Sequence, residues 1–172
     1  MWEAGRTPDR KEQTISRRDQ IRMTDGELAD FLAARHTVTC ATIGPGGRPH
    51  LMPLWYCLVD RRIAVWTYAS SQKVRNLERL PQATLQVEAG ETYGELRGVM
   101  IEADARLLRD AEEVADIGLA IALRYAPGEM TAEEAPEELR SFVAAQASKR
   151  VAIVFEPTRT VTWDHRKLGG RY

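Results

Sequence analysis

Cysteine is scarce in this sequence: only Cys40 and Cys57 occur among its 172 residues. The two are far apart, form no Cys-x-x-Cys motif and have no histidine at metal-ligand spacing. A disulfide framework and a zinc site are therefore not expected to organise the fold. We interpret both cysteines as buried thiols, because they lie in apolar runs and a free cysteine behaves as a small apolar side chain.

Long apolar runs are absent as well. No stretch approaches the roughly 20 residues that a membrane-spanning helix requires. The first 22 residues are polar and include four acidic side chains, so they lack the apolar segment of a secretory signal peptide. We therefore expect a cytoplasmic protein with no membrane partner.

The chain also lacks an excess of charge of either sign. It has 24 basic and 25 acidic residues, which give a formal net charge of −1. Binding to a nucleic-acid backbone requires a broad positive surface, so we expect no nucleic-acid partner. Hydrophobic residues make up 44% of the chain, which is typical of a globular protein, and the length suits one domain.

The common catalytic motifs of hydrolases do not occur. The Gly/Pro cluster at 44–47 lacks the Lys-Ser/Thr pair of a phosphate-binding P-loop, and its flanking runs indicate a hairpin turn. There is no Gly-x-Ser-x-Gly or His-Glu-x-x-His sequence, and the three histidines are scattered. The sequence therefore predicts no metal site and assigns no catalytic residue.

The hydrophobic pattern divides the chain into an N-terminal arm, 1–22, and one domain, 23–172. Thr24 and Glu27 form a capping box ahead of a short amphipathic helix. About seven strands are expected, at 38–43, 48–58, 63–67, 83–89, 98–108, 150–155 and 160–163. Further helices are predicted at 71–80, 110–125 and 133–147. Sequential hairpins with few helices predict a mainly β protein, a small barrel with helical insertions.

Two prolines, Pro49 and Pro53, lie inside the second predicted strand. Proline cannot donate to the hydrogen-bond ladder, so we predict an irregular strand, either at an edge of the sheet or with a bulge. Such a strand can turn backbone groups toward a planar ligand, and Trp55 offers a surface for stacking. The alternative is that this aromatic edge packs against a second subunit.

A strand runs into a helix at Ser71, with hydroxyl side chains and Lys73 at the junction. Only four of the 24 basic residues are lysines, so a lysine at this position draws notice. Free backbone N–H groups and the helix dipole favour an anion there, which makes Ser71 and Lys73 candidates for a phosphate site. The alternative is an ordinary helix cap beside a surface lysine.

The last candidate is the polar and aromatic cluster from Trp163 to Tyr172, which follows the final strand. Segment 159–172 has four basic residues and one acidic residue, and a phosphorylated ligand suits that charge. A simple basic tail is the alternative. Segment 110–140 instead carries nine acidic and two basic residues, which we interpret as solvated helix faces.

Together these segments resemble the flavin and deazaflavin split-barrel superfamily, whose best-known branch is the pyridoxamine 5′-phosphate oxidases. The nearest similarity is to its coenzyme F-420-dependent reductases of the B group. The segments that carry the resemblance occur in family order at 41–51, 53–56, 71–77, 96–98, 149–151 and 162–169. The resemblance implies an FMN-binding split β-barrel that forms a homodimer, with two cofactor sites at the subunit interface.

The resemblance also implies which residues contact the cofactor. The oxidases hold the flavin phosphate with a Ser-Arg-Lys triplet, which aligns here with Ser71, Gln72 and Lys73. Because Gln72 replaces the arginine, one charged contact to the phosphate is missing. The strand that lies along the ring system falls on Met52, Pro53, Leu54 and Trp55. The remaining implied positions are Trp66, Thr67, Asn76, Trp163, His165, Arg166 and Lys167. The last four of these would close the site from the other subunit.

The implied function is a deazaflavin (coenzyme F-420)-dependent oxidoreductase that transfers a hydride to or from an unsaturated small molecule. The cofactor would carry the chemistry, and the protein would supply orientation, shielding and a phosphate anchor. No general acid stands out, so the proton would come from water. Two alternatives stay open: an FMN-dependent oxidoreductase on the same scaffold, and a non-catalytic flavin- or haem-binding protein. Vitamin B6 oxidation is disfavoured, because Gly98 stands where the oxidases have a glutamine.

Overall fold

The computed structural model describes residues 16–34, 37–128 and 130–169. Most of the predicted N-terminal arm, 1–15, therefore lies outside the described residues. The helices are α1 Arg17–Gln20, α2 Asp25–Ala34, α3 Gln72–Arg79, α4 Ala111–Tyr125 and α5 Glu137–Ala147. The strands are β1 Thr37–Ile43, β2 Pro49–Trp55, β3 Cys57–Val59, β4 Arg62–Tyr68, β5 Gln82–Ala89, β6 Arg97–Leu108 and β7 Arg150–Asp164.

The seven strands form one antiparallel sheet in the order β2-β1-β5-β6-β7-β4-β3. The sheet curls around a core that contains Val38, Leu85, Val99 and Ile153, with Phe155 beside them. These residues alternate with more exposed ones along their strands, which places one face of each strand inside. The prediction of a mainly β split barrel with helical insertions is confirmed.

The predicted strand at 48–58 is two strands, because the chain turns inward at Tyr56. The Tyr56 side chain is fully buried, and its hydroxyl donates a hydrogen bond to the Leu32 carbonyl at 2.6 Å. β2 and β3 consequently lie at opposite edges of the sheet. The edge position predicted from Pro49 and Pro53 is correct, since β2 pairs only with β1. The predicted irregularity is wrong: β2 keeps an unbroken register with β1 from Pro49 to Trp55, because an edge strand leaves its proline nitrogens on the unpaired side.

The two strands predicted near the C-terminus are one continuous strand, β7, that pairs with β6 from Ala152 to Asp164. A β-bulge opposite Glu102 and Ala103 lets β7 run on through Pro157. The sequence pattern broke at this proline because proline is a poor strand residue. The bulge places it where the ladder is already interrupted.

The helix α2 closes one end of the barrel with Phe31 and Leu32, which belong to the core. Its predicted capping box is present: the Thr24 backbone N–H donates to Glu27 Oε2 at 2.7 Å, and the Glu27 N–H donates to Thr24 Oγ1 at 3.2 Å. At the other end of α2, the Arg124 guanidinium donates to the Leu32 carbonyl at 2.8 Å. Both ends of α2 are therefore fixed.

Helices α4 and α5 cover the outer face of β4 and β7. Val114, Ile117 and Ile121 of α4 pack on Ala152 and Val154 of the sheet. Helix α4 agrees with the prediction, whereas α5 begins four residues later than predicted, directly after Pro136. No helix within the described residues has the length and apolar character needed to cross a membrane.

Candidate cofactor site

The predicted phosphate site lies where β4 ends and α3 begins. Lys73 is buried there, with 7% of its surface exposed, although it is charged. Its Nζ donates a hydrogen bond to Thr67 Oγ1 at 2.9 Å, and the Thr67 hydroxyl lies 3.5 Å from Ser71 Oγ. The structure therefore brings the predicted residues Thr67, Ser71 and Lys73 together.

The Lys73 amine is a cation without a counter-charge among its described partners. Burial is the main cause that lowers the pKa of Lys73, and only a thiolate at nearby Cys40 would act against it. Burial raises the pKa of Cys40 to about 12, so this thiol stays neutral at physiological pH. A bound anion would offset the cost of burying the Lys73 charge.

The start of α3 adds a second source of attraction for an anion. Ser71 occupies the position before the helix in extended conformation, but its hydroxyl caps none of the helix N–H groups. The expected side-chain cap is thus missing, because the hydroxyl lies toward Thr67 instead. Backbone N–H groups at a helix start and the helix dipole both favour a negative group.

Two amide side chains fix α3 against the barrel. Gln72 Nε2 donates to Asn76 Oδ1 at 2.8 Å, and Asn76 Nδ2 donates to Thr42 Oγ1 at 3.0 Å. Asn76 and Thr42 are both buried. Asn76 therefore lies in the predicted site but positions the helix, while Gln72 contributes no charge where the oxidases have arginine.

The edge strand β2 presents an open apolar surface. Of the predicted residues, Met52 is 42% exposed and Trp55 is 56% exposed, and Pro53 is exposed while Leu54 is half-buried. One face of the Trp55 ring stacks on Tyr125 of α4, with ring centroids 3.9 Å apart and planes 11° apart. The strand is available to a planar ligand, and Tyr125 holds the orientation of Trp55.

The sheet separates Trp66 from the Lys73 cluster. Trp66 and Thr67 are neighbours on β4, so their side chains point to opposite faces. Trp66 packs under α4 beside Gly118, and the Arg150 guanidinium lies 4.4 Å from its ring centroid. The structure thus does not bring Trp66 together with the other predicted residues, and a cofactor contact by Trp66 stays a prediction.

The predicted C-terminal residues are bound to their own chain. Trp163 covers Gly98, and His165 Nδ1 lies 3.1 Å from the Tyr93 carbonyl oxygen. Lys167 Nζ donates to the Arg22 carbonyl at 2.7 Å and to Glu27 Oε2 at 2.6 Å. None of the hydrogen bonds or ring contacts between described residues joins this cluster to Lys73.

Arg166 completes this C-terminal group through a residue that the sequence reasoning missed. Arg166 Nε donates to Asp164 Oδ1 at 2.8 Å, and Asp164 is buried. The hydrogen bond from Arg166 is the main cause that lowers the pKa of Asp164. The sequence signal that could have indicated this ion pair is an acidic residue two positions before an arginine, at the end of an apolar strand.

Comparison with known proteins decides the family. The sequence profile described as pyridoxamine 5′-phosphate oxidase matches residues 24–164. The chain belongs to the pyridoxamine 5′-phosphate oxidase family. The match covers nearly the whole barrel, from the capping box of α2 to Asp164. No curated protein sequence matches the chain.

Several solved structures share the barrel of this oxidase-family protein. The conserved hypothetical protein Rv2991 from Mycobacterium tuberculosis is 39% identical, with a TM-score of 0.82, and 92% of this chain aligns with 95% of that one. An F-420 reductase is 19% identical, with a TM-score of 0.56, and the alignment covers 76% of this chain and 93% of that one. The haem storage protein HutZ from Vibrio cholerae is 19% identical, with a TM-score of 0.61, covering 80% and 94%.

Two clefts lie on the described surface of this oxidase-family barrel. One, of about 340 Å³, lies between α2 and the end of β7 and is lined by Glu27, Arg97, Asp164 and Arg166, among others. The other, of about 560 Å³, lies beside β1, β5 and β6 and includes Ile43. The Lys73 cluster lines neither, so the proposed phosphate position depends on the polar cluster itself.

Proposed function

We propose that this protein is a coenzyme F-420-dependent oxidoreductase that transfers a hydride to or from an unsaturated small molecule. The observation that carries the proposal is the buried Lys73 amine at the start of α3, which donates to the neutral hydroxyl of Thr67 on β4. Membership of an oxidase family and a shared fold with an F-420 reductase support a redox role. A phosphorylated redox cofactor supplies the anion that this buried cation needs.

The residues of the cluster suit one negative charge better than two. Lys73 is buried and cationic, while Gln72 is neutral and its amide is bonded to Asn76. The phosphate of coenzyme F-420 is a diester and carries a single charge, whereas the monoester of FMN carries about 1.5–2 charges near neutral pH. The glutamine therefore favours the deazaflavin over FMN, which is our second choice.

The protein's own residues would bind, orient and shield the cofactor. Lys73, Thr67, Ser71 and the first N–H groups of α3 would hold the phosphate, and β2 from Met52 to Trp55 would lie along the ring system. When bound, the deazaflavin supplies hydride transfer at C5 of its ring. No described side chain is placed to act as a general acid, so we assign the proton to water.

We further propose that the functional unit is a homodimer. The predicted residues Trp163, His165, Arg166 and Lys167 are not in contact with the Lys73 cluster of the same chain. A second copy that brings its own C-terminal cluster to the Lys73 site would complete the cofactor pocket. The open surface of β2, with Leu51 and Trp55 each 56% exposed, gives that copy an apolar area to cover.

Titration of the purified protein tests the proposed cofactor. We expect coenzyme F-420 to bind more tightly than FMN in calorimetry, with a bound spectrum near its absorption at about 420 nm, against about 450 nm for FMN. Lys73→Ala should weaken F-420 binding by roughly 1.5–3 kcal/mol, because a charged hydrogen bond is lost. Arg18→Ala removes one charge from the exposed helix α1 and is the matched control.

Two outcomes would contradict the proposal. Equal affinity of the folded Lys73→Ala variant and the wild type would remove the phosphate role of Lys73. Failure to bind F-420, together with tight binding of FMN or a haem Soret band, would move the protein to one of the alternative functions.

A further inference from the structure

His50 lies on the same face of the sheet as the Lys73 cluster. It stands on β2 directly opposite Thr42 of β1, and residues opposite each other in an antiparallel pair share a face. The Thr42 hydroxyl accepts a hydrogen bond from Asn76 of α3. His50 is therefore the β2 residue that stands next to the polar contact between β1 and α3.

The imidazole of His50 has a buried nitrogen that lacks a partner. Its Nδ1 is inaccessible to solvent and makes no hydrogen bond to the part of the chain that the structure describes. Buried polar atoms in native proteins are nearly always bonded, and the exceptions mark waters, ions or ligands. The Nδ1 of His165, by contrast, lies 3.1 Å from the Tyr93 carbonyl oxygen.

The polar side chains that join α3 to β1 and β4 have other partners. Asn76 uses its oxygen for Gln72 and its nitrogen for Thr42, and Lys73 donates to Thr67. Arg79, near the end of α3, donates to the carbonyl of Ile43, which stands opposite Pro49. These contacts leave His50 Nδ1 open to an oxygen of a bound ligand.

We propose that His50 is a further ligand-binding residue of the Lys73 site and donates a hydrogen bond from Nδ1 to an oxygen of the ligand's phosphate group. This inference rests on the proposed function, because it assumes that a phosphorylated cofactor occupies the site. His50 then supplies a side-chain donor in place of the one that an arginine at position 72 would provide.

Two measurements test the assignment on the whole protein. In NMR spectra of the imidazole nitrogens, inorganic phosphate and coenzyme F-420 should each shift the His50 signals. The chain has only three histidines, so the signals that disappear in the His50→Phe spectrum are those of His50. In calorimetry, His50→Phe should bind F-420 at least tenfold more weakly, an effect of about 1.4 kcal/mol. His50→Gln, which retains a donor, should recover most of the affinity, and Ser148→Ala on the turn after α5 is the control.

The outcomes separate this inference from the proposed function. If Lys73→Ala weakens F-420 binding but a folded His50→Phe variant does not, the His50 assignment is wrong and the proposed function stands. If phosphate shifts the His50 signals but the protein does not bind F-420, the cofactor is wrong and the His50 site stands. If neither probe moves the His50 signals, the assignment is overturned even where His50→Phe does not fold, because the His50→Gln spectrum also identifies these signals.

Discussion

The indole ring of Trp163 lies on Gly98, its partner in the pairing of β6 with β7. A Cβ atom at position 98 would overlap the six-membered part of the ring and the Val87 carbonyl. The oxidases that the sequence resembles have glutamine in place of Gly98. Here the Trp163 ring from the neighbouring strand fills the space that a side chain at position 98 would need. Glycine is required here by the close approach of a side chain, since its backbone does not adopt a positive φ.

Gly98→Ala should therefore destabilise the barrel by about 1–3 kcal/mol, the usual range for forcing an extra methyl group into a packed site. Urea denaturation measures the change in the free energy of unfolding. Gly46→Ala is the matched control, because a Cβ there meets nothing within 4 Å. Equal stability of the two variants would contradict the packing of Trp163 on Gly98.

The contact between Gly118 and Trp66 predicts a rescue. Gly118→Ala would gain about 1 kcal/mol of helix propensity in α4, but its Cβ overlaps the Trp66 ring, so a net loss of stability is expected. In a Trp66→Leu background the same substitution should become neutral or stabilising. A double-mutant cycle on unfolding free energies measures the coupling, and strict additivity would contradict it.

Burial of Lys73 predicts a specific dependence of stability on pH. The pKa of Lys73 in the folded protein is below its ordinary value of 10.5, so between these two values the unfolded chain binds more protons. The free energy of unfolding of the wild type should therefore rise, relative to Lys73→Met, as pH increases through this window. Urea denaturation of both proteins at about pH 7 and about pH 10 measures it, and a constant difference would show that burial does not perturb the amine.

The buried carboxylate of Asp164 should contribute stability above acidic pH. Arg166 lowers the pKa of Asp164 from 3.8, so this contribution is complete above 3.8 and is lost as pH falls through the lower folded value. Asp164→Asn should cost about 1–2 kcal/mol near neutral pH, since Arg166 is largely exposed and the interaction is partly screened. The difference from wild type should shrink in acid, and chemical denaturation at both pH values checks this.

The proposed homodimer predicts a molecular mass in solution of twice the 19.4 kDa chain. Trp55→Asp should shift the mass toward that of the monomer, because a charge would be buried in an apolar interface. Light scattering at micromolar concentration measures both proteins. A wild-type monomer would remove the shared site, and with it the proposed role of the C-terminal residues.

The sequence predicted those parts of the fold that depend on local pattern and local chemistry. Alternation of apolar residues predicted the strands, Thr24 and Glu27 predicted the start of α2, and Pro53 predicted an edge strand. Each signal acts over a few residues, so neighbouring sequence contains it. The junction at Ser71 and Lys73 was predictable for the same reason, because a strand, a turn and a helix start follow one another directly.

Other features depend on residues that are distant in sequence, and only the tertiary structure decided them. Tyr56 interrupts a predicted strand because its hydroxyl bonds to Leu32, and β7 continues through Pro157 because a bulge opposite β6 accommodates it. Burial of Lys73 depends on Thr67 and the barrel wall, and no local pattern reports it. Local sequence determined which elements form, whereas long-range packing decided which polar groups are buried with few partners. Such groups are stabilised by a bound ligand, so the packing also decides where a ligand would bind.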